Sequence, residues 1–145
     1  MQRSSSESIL IISEVMLPNQ ANVAGNIHGG EIMKLMDLAA YAVARRYAHT
    51  NVVTARVDEL EFHLPIFIGD LVICTAQVAY AGKSSMEVVV TVEVEDLECS
   101  DRKKALTAFF TMVSLDKKGK TNFALFNFIV NGEILTNELS LENQV

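Results

Sequence analysis

The sequence predicts an α+β fold in which one long helix packs against an antiparallel sheet. Apolar residues recur at three- and four-residue intervals from Glu31 to Tyr47, which is the period of a helix. Most of the chain after this segment either alternates between apolar and polar residues or is apolar throughout, as strands are. No repeat or linker divides the 145 residues, so residues 1–145 are expected to form one domain, with 1–7 and about 134–145 poorly ordered or peripheral.

Before the helix, residues 8–16 predict a first strand, and the Pro-, Asn- and Gly-rich stretch 17–30 predicts a loop with unusual backbone angles. The helix itself has few β-branched residues, and two arginines in its last turn suit the helix dipole. Its predicted apolar face consists of Met33, Met36, Ala40, Val43, Ala44 and Tyr47.

Four or five antiparallel strands are expected after the helix. The predicted strands are 51–62, 70–80, 84–97 and 104–115, with a charged turn at 98–103 and a last strand or tail at 121–134. Two of them, 70–80 and 104–115, are apolar on both faces. A helix of about 18 residues is about 27 Å long and covers only one face of a sheet. The other face therefore needs a second partner, which predicts an oligomer.

Composition and charge exclude several classes of protein. A net charge of −6 argues against nucleic-acid binding, which depends on neutralising phosphates. No apolar run reaches the roughly 18 residues that span a bilayer, and the run from Ile9 to Ile12 is too short for a signal sequence, so we expect a cytoplasmic protein without membrane insertion. Cys74 and Cys99 have no CxxC or histidine partner, which predicts two reduced, buried or half-buried thiols and no structural zinc.

Asp37 is the most informative side chain, because aspartate is a poor residue for a helix interior and an unpaired buried carboxylate is costly. One interpretation is that Asp37 faces solvent or pairs with Lys34, three residues earlier. The alternative is a general base or nucleophile in an apolar cleft.

A second candidate feature is Gly29-Gly30, directly before the predicted helix. Free N–H groups at a helix start can hold an oxyanion, although two glycines can equally serve only a tight entry into the helix. Gly30 and Asp37 lie seven residues apart, or about 10 Å along one helix. If both act on one carbonyl, two antiparallel helices must each supply one half, as a symmetric dimer allows.

Three stretches carry a resemblance to a known family. They are LPNQANVAGNIHGGEIMKLMD, VVTARVDELEFHLPIFIGD and AGKSSMEVVVTVE. In this order and spacing they resemble the acyl-CoA hydrolase family of hotdog-fold thioesterases, over roughly residues 14–119. The resemblance implies a hotdog fold, with five or six curved strands around a central helix, and homodimers that often form hexamers as trimers of dimers. It also implies hydrolysis of fatty acyl-CoA, in fatty acid metabolism, with no cofactor or metal.

The resemblance also assigns roles to residues. By position, Asn22 matches the active-site asparagine, Asp37 the catalytic carboxylate, and Gly29 and Gly30 the oxyanion-binding helix start. It leaves open whether Asp37 activates water or attacks the thioester directly. Candidate substrate-binding residues are His28, Arg56, Lys83, Ser84 and Ser85.

Several alternatives stay open for these residues. His28 could contact substrate or order its loop by a hydrogen bond, and Arg56 could pair with a nearby acid or contact CoA. Lys83 is expected to share one end of the sheet with Lys117, Lys118 and Lys120, either as an anion-attracting edge or as solvated turns. At the level of function, a non-catalytic acyl-CoA-binding protein is the alternative. A hotdog dehydratase is less favoured, because it needs a histidine–carboxylate pair and only His28 is available.

Overall fold

A computed structural model describes residues 8–115, 127–130 and 133–136. One helix lies against one face of a five-stranded antiparallel sheet whose strand order is β1-β3-β4-β5-β2. The helix α1 spans Gly29–Ala48. The strands of the sheet are β1 (Ile9–Val15), β2 (Val52–Asp58), β3 (Leu71–Ala81), β4 (Ser85–Asp96) and β5 (Asp101–Ser114). The predicted α+β class, with one long helix on a five- or six-stranded sheet, is therefore confirmed.

The helix begins two residues earlier than predicted, at Gly29, so both glycines lie in its first turn. His28 precedes it with extended backbone angles, and His49 ends it with a left-handed φ of 59°. The prediction that Met33 lies on the buried face was wrong, since Met33 is 43% exposed. The apolar stripe of this helix is wider than its contact with the sheet. The buried helix residues are Ile32, Leu35, Met36, Ala39, Ala40, Val43 and Ala44.

The hydrophobic core lies between α1 and the face of the sheet that packs against it, which includes one face of β4. As the alternation predicted, Met86, Val88, Val90 and Val92 of β4 are buried on that face. Their partners across the ladders with β3 and β5 lie on the same face, because directly opposed residues share a face. β3 is an internal strand whose helix-facing residues Val72, Cys74 and Ala76 are buried. On its outer face, which was also predicted to be apolar, Ile73 is buried.

The two cysteines have different environments. Cys74 of β3 is buried, and burial together with the nearby Glu14 carboxylate raises the pKa of its thiol to about 12. Cys99 lies in the turn between β4 and β5 and is exposed, so the expectation of a buried or half-buried thiol was wrong there.

β2 ends at Asp58 rather than at residue 62. Glu59 has a positive φ of 58°, which takes the chain out of the extended conformation. Within β2, the register against β5 shifts between Thr54 and Arg56, which makes Ala55 an extra residue, or β-bulge. Thr54 therefore pairs with Met112 on the helix-facing side, and Arg56 pairs with Thr111 on the outer side.

The turn predicted at 98–103 is shorter, covering residues 97–100, and Arg102 and Lys103 already belong to β5. Cross-strand pairs of opposite charge extend this hairpin beyond its apolar part. Arg102 lies opposite Glu95 and Lys104 opposite Glu93. Ser100 turns the chain with a positive φ of 59°.

Part of the predicted last strand is seen as a separate hairpin of β6 (Asn127–Val130) and β7 (Glu133–Thr136). Of the termini expected to be poorly ordered or peripheral, 1–7 and about 134–145, residues 134–136 belong to β7. The remaining residues of both termini, the other residues of 121–134, and Lys117, Lys118 and Lys120 lie outside the described residues. Across the described ranges, no helix is both long enough and apolar enough to cross a membrane.

Candidate active site

Asp37 is held on the exposed side of α1 by a neighbouring strand. The Thr54 hydroxyl donates a hydrogen bond of 2.6 Å to Asp37 Oδ1. Among the ion pairs of residues 8–115, none joins Asp37 to Lys34. The carboxylate is thus exposed and fixed in direction from one side, and its second oxygen has no hydrogen-bond partner among the described residues.

The first turn of α1 presents unused hydrogen-bond donors. The N–H groups of Gly29 and Gly30 have no acceptor within the described ranges, and no side chain caps this helix end. A Cβ added at Gly30 would meet nothing within 4 Å, and one at Gly29 would come 3.5 Å from the Phe62 ring, an ordinary contact. The chain itself therefore leaves room for another group to approach these amides.

Asn22 organises the loop in front of the helix. Its Oδ1 accepts hydrogen bonds from the backbone N–H groups of Ala24, at 2.9 Å, and Asn26, at 3.1 Å. Its backbone N–H donates to Asn26 O at 2.8 Å. Because Oδ1 is occupied by two donors, the exposed amide group that Asn22 offers to a ligand is the NH₂, which donates. The turn itself is at Val23 and Ala24, whereas Asn26 forms an isolated antiparallel bridge with Phe67. Gly25, just before Asn26, has a φ of 88°, which glycine adopts without strain.

The two halves of the predicted site lie on one helix but cannot meet within one chain. Both Gly30 and Asp37 belong to the straight run Gly29–Ala48, where seven residues correspond to about 10 Å. A single carbonyl group cannot be within about 3 Å of both. The arrangement can work only if a second helix brings its own first turn to Asp37.

Lys83, Ser84 and Ser85 come together at the other end of α1. They line an open groove of about 450 Å³, with Tyr47 and Ala48 from the last turn of the helix. The Ser114 N–H donates to Ser84 O at 2.8 Å and ties this hairpin to the end of β5. Arg102 to Lys104 lie at the opposite end of the β4–β5 ladder.

Neither Arg56 nor His28 forms a hydrogen bond or ion pair with Asp37 among the described residues. Arg56 Nε lies 2.5 Å from Asp58 Oδ2, an ion pair on the outer face of the sheet without good hydrogen-bond alignment. This is the first of the two alternatives for Arg56, and a contact with CoA stays a prediction. At His28 the loop is ordered by the backbone, whose N–H donates to Gln20 O at 3.0 Å. The exposed imidazole has no hydrogen-bond partner in the part of the chain that the structure describes.

Sequence reasoning missed Thr54. The residue stands in a strand whose alternation groups it with Arg56 and Asp58, and only the bulge at Ala55 separates their faces. The hydroxyl among the apolar residues of VVTA, residues 52–55, was the available signal.

No group of three or more His, Cys, Asp or Glu side chains within residues 8–115 is placed to hold a metal ion. Backbone amides and an asparagine NH₂ lie at the start of the helix, and a carboxylate lies about two turns further along it. These groups fit acyl-transfer chemistry.

The chain is similar in sequence to proteins of a known family. The sequence profile of the thioesterase superfamily matches residues 24–100. The human cytosolic acyl coenzyme A thioester hydrolase is 39% identical over 106 residues, which is 72% of this chain but only 28% of that protein. The chain therefore spans little more than a quarter of the length of this relative.

Solved structures cover more of both chains. An acyl-CoA hydrolase from Staphylococcus aureus, in complex with butyryl-CoA, CoA and CoA disulfide, is 36% identical and superposes with a TM-score of 0.76, covering 82% of this chain and 73% of that one. Three variants of that enzyme replace an asparagine, an aspartate 15 positions later and a threonine 17 positions after that by alanine. A hexameric thioesterase from Yersinia pestis is 34% identical with a TM-score of 0.72, covering 76% and 89% of the two chains.

Proposed function

We propose that this chain, which belongs to the thioesterase superfamily, hydrolyses the thioester bond of a fatty acyl-CoA to give a free acid and CoA. The observation that carries the proposal is the pairing of the Thr54 hydroxyl with Asp37 on the exposed side of a helix whose first turn has free amides. This combination supplies a fixed carboxylate for the nucleophile and donors for the oxyanion, which are the two requirements of acyl transfer.

In one form of the reaction, Asp37 accepts a proton from a water molecule as that water attacks the thioester carbonyl. The N–H groups of Gly29 and Gly30 from a second chain stabilise the oxyanion. When the tetrahedral intermediate collapses, the C–S bond breaks and the proton passes to the CoA thiolate. In the other form, Asp37 attacks the carbonyl itself and expels the thiolate, and water then cleaves the resulting anhydride. Because a thiolate is a good leaving group, neither form requires a metal or cofactor.

Asn22 is proposed to orient the thioester or the water by donating from its NH₂ group. Its Oδ1 holds the loop through Ala24 and Asn26 and is not available to accept from a water. A donor placed beside the first turn of α1 adds to the field that favours negative charge on the carbonyl oxygen.

The spacing of three residues supports these roles. In this chain Asp37 follows Asn22 by 15 positions and Thr54 follows Asp37 by 17. The asparagine, aspartate and threonine replaced in the S. aureus acyl-CoA hydrolase have the same order and the same two intervals.

For the CoA end of the substrate, the proposed contacts are in the groove of Lys83, Ser84 and Ser85. The groove combines a cation, two hydroxyls and the exposed backbone of a hairpin, which suit phosphate oxygens on a protein that is acidic overall. His28 at the helix start is proposed to face the substrate near the thioester, because its imidazole is exposed there.

The proposed catalytic unit is a homodimer with two equivalent sites, assembled further as a trimer of dimers. The 10 Å separation of Gly30 and Asp37 calls for the dimer, and the Y. pestis thioesterase supports the hexamer, being itself hexameric. A cytoplasmic location is proposed on the name of the human relative, which calls it cytosolic.

The experiment is a thiol-release assay of wild-type protein and Asp37→Asn across short, medium and long acyl-CoAs. Asparagine keeps the shape and the hydrogen bond from Thr54 but cannot take a proton or attack, so kcat should fall at least about a hundredfold with an unchanged melting temperature. Asp101→Asn, an exposed acid at the far end of the sheet, is the matched control and should keep wild-type turnover.

Two results would contradict the proposal. Near-wild-type turnover of Asp37→Asn removes Asp37 from the mechanism. A wild-type protein that binds CoA but releases no thiol from any acyl-CoA is a binding protein, which is the alternative function.

A further inference from the structure

The exposed side of α1 carries three different chemical groups in a row. Asp37, Tyr41 and Arg45 follow one another at four-residue intervals, and all three are exposed. Residues spaced by four are neighbours on a helix surface, so the three side chains form one ridge with about 6 Å between steps. The ridge begins at the proposed catalytic carboxylate.

At its other end the ridge reaches the groove of Lys83. Ala48 lines that groove and lies three residues after Arg45, which makes the two neighbours on the helix surface. In order, the surface thus presents a carboxylate, an aromatic ring with a hydroxyl, a guanidinium and a groove with a lysine and two serines.

Arg45 and the neighbouring Arg46 differ in the contacts that they make with the rest of the chain. Arg46 Nη2 donates a hydrogen bond to the backbone oxygen of Ile9 and joins the helix to β1. Arg45 lies one residue earlier, about 100° around the helix axis from Arg46, and forms no ion pair with any residue of the described ranges. Its charge is available to a ligand.

The order of groups on the ridge is the order of groups along CoA. A thioester is followed by the pantetheine arm, which has two amides and a run of methylenes, and then by a diphosphate. The structure assigns Arg45 to the diphosphate of CoA, as a binding residue, and Tyr41 to the pantetheine arm. This inference rests on the proposed function, which names an acyl-CoA as substrate.

The distances are compatible. Asp37 and Arg45 are eight residues apart, or about 12 Å along the helix axis. The arm between thioester sulfur and first phosphorus has the chain length of about four amino-acid residues, so it extends up to roughly 15 Å. A nearly extended arm lying along the ridge places the thioester at Asp37 and the diphosphate at the guanidinium, which can bind two phosphate oxygens at once.

The experiment measures binding, so it does not depend on turnover. Dissociation constants of wild type and Arg45→Ala are determined by calorimetry for CoA, 3′-dephospho-CoA and pantetheine. Loss of a charge-assisted contact should weaken CoA and dephospho-CoA by about tenfold or more and by similar factors, while pantetheine changes less than about twofold. Arg102→Ala, the same change at the opposite end of the β4–β5 ladder, should leave all three within about twofold.

Tyr41→Ala gives the second arm of the test and should weaken all three ligands, because each contains the pantetheine arm. The inference is overturned if Arg45→Ala affects CoA no more than Arg102→Ala does, or if it weakens pantetheine as much as CoA. A weakening of CoA with dephospho-CoA unchanged would move Arg45 to the 3′-phosphate and overturn the assignment. Failure of the proposed function is seen separately, as absence of thiol release from wild type.

Discussion

The backbone conformation at the start of α1 does not require glycine at either of its first two positions. Neither Gly29 nor Gly30 has a positive φ, and a Cβ at Gly30 has free space around it. Glycine in a helix costs up to about 1 kcal/mol relative to alanine. Residues that lower stability without a local geometric reason point to a requirement outside the chain, which here is the close approach of a substrate carbonyl to the amides.

Gly30→Ala should therefore leave the free energy of unfolding unchanged or raise it, by up to about 1 kcal/mol, while kcat/KM for acyl-CoA falls at least about tenfold. Urea unfolding and a thiol-release assay on the same preparation measure both quantities.

Gly69→Ala is the matched control with the opposite pattern. Gly69 has a φ of 91°, so alanine there is strained and should lower the unfolding free energy by about 1 kcal/mol or more, with little effect on the rate of the folded enzyme. If Gly30→Ala lowers stability and keeps activity, the glycine serves the helix start rather than the reaction.

Cys74 gives a prediction about pH. Burial and Glu14 raise the pKa of its thiol to about 12 in the folded protein, against an ordinary value of 9.0. The folded state therefore keeps the proton above pH 9, where the unfolded state loses it. Its contribution to stability is fully present below pH 9 and is lost between about pH 9 and 12, with a slope of about 1.4 kcal/mol per pH unit.

The measurement is urea unfolding of wild type and Cys74→Ala at pH 7, 8 and 10. The difference in unfolding free energy between the two proteins should be constant from pH 7 to 8 and change at pH 10, as the stability of wild type falls. A Cys99→Ala variant, which changes only an exposed thiol, should follow wild type throughout. A difference between wild type and Cys74→Ala that is constant up to pH 10 would contradict the account.

Among the elements, β2 fixes the direction of the proposed catalytic carboxylate. Its bulge at Ala55 turns Thr54 toward α1 while leaving Arg56 on the outer face. Met112 Sδ lies 3.4 Å from the Thr54 hydroxyl and limits its rotation. Thr54 is thus a positioning residue, acting through Asp37.

Thr54→Val removes the hydroxyl and keeps the shape, so kcat should fall by about tenfold, with KM for acyl-CoA changed less than about twofold. Thr54→Ser keeps the hydrogen bond and should restore most of kcat. Steady-state kinetics of the two variants decide the matter. If valine keeps wild-type kcat and serine lowers it, the methyl group and its packing, not the hydrogen bond, are what matter.

At this scale much of the fold could be predicted from the sequence. The alternation of apolar and polar residues in β4 identified the face on which Val88 and Val90 are buried. Successive side chains of a strand point to opposite faces of the sheet, so the apolar set can be buried in only one way. The buried face of α1 was predicted less accurately. The apolar stripe that contains Met33 is wider than the part of the helix that the sheet covers. The separation of Thr54 from Arg56 depends on one inserted residue, and an alternating pattern does not reveal where a bulge occurs.

At the scale of the whole molecule, the pairing of chains limits how much of the site could be predicted from the sequence. Asp37 was recognisable in the sequence because a carboxylate between apolar helix residues is unusual, and the amides of Gly29 and Gly30 because they open a helix. Their distance along α1 follows from helix geometry alone. Which groups complete each other depends on how two chains pair, and that is a property of the assembly rather than of any segment.

The exposed apolar side chains of α1 agree with a pairing through this side of the molecule. Met33 and Leu38, next to the Asp37 ridge, are 43% and 53% exposed. Covering them by a second helix removes apolar surface from water and brings the first turn of that helix toward Asp37.

The central claim is that each active site takes its carboxylate from one chain and its donors from another. The most direct test mixes two inactive variants, Asp37→Asn and Asn22→Asp, by joint unfolding and refolding. Asn22→Asp keeps the oxygen that holds the loop and replaces the donating NH₂ by a charged oxygen that cannot donate. Each variant refolded by itself is the control and should be inactive.

Half of the randomly paired dimers contain both variants, and each of these has one intact site, so the mixture should recover about a quarter of wild-type thiol release. A mixture that forms mixed dimers and stays as inactive as its parents would show that each chain builds its site alone, and would contradict the account.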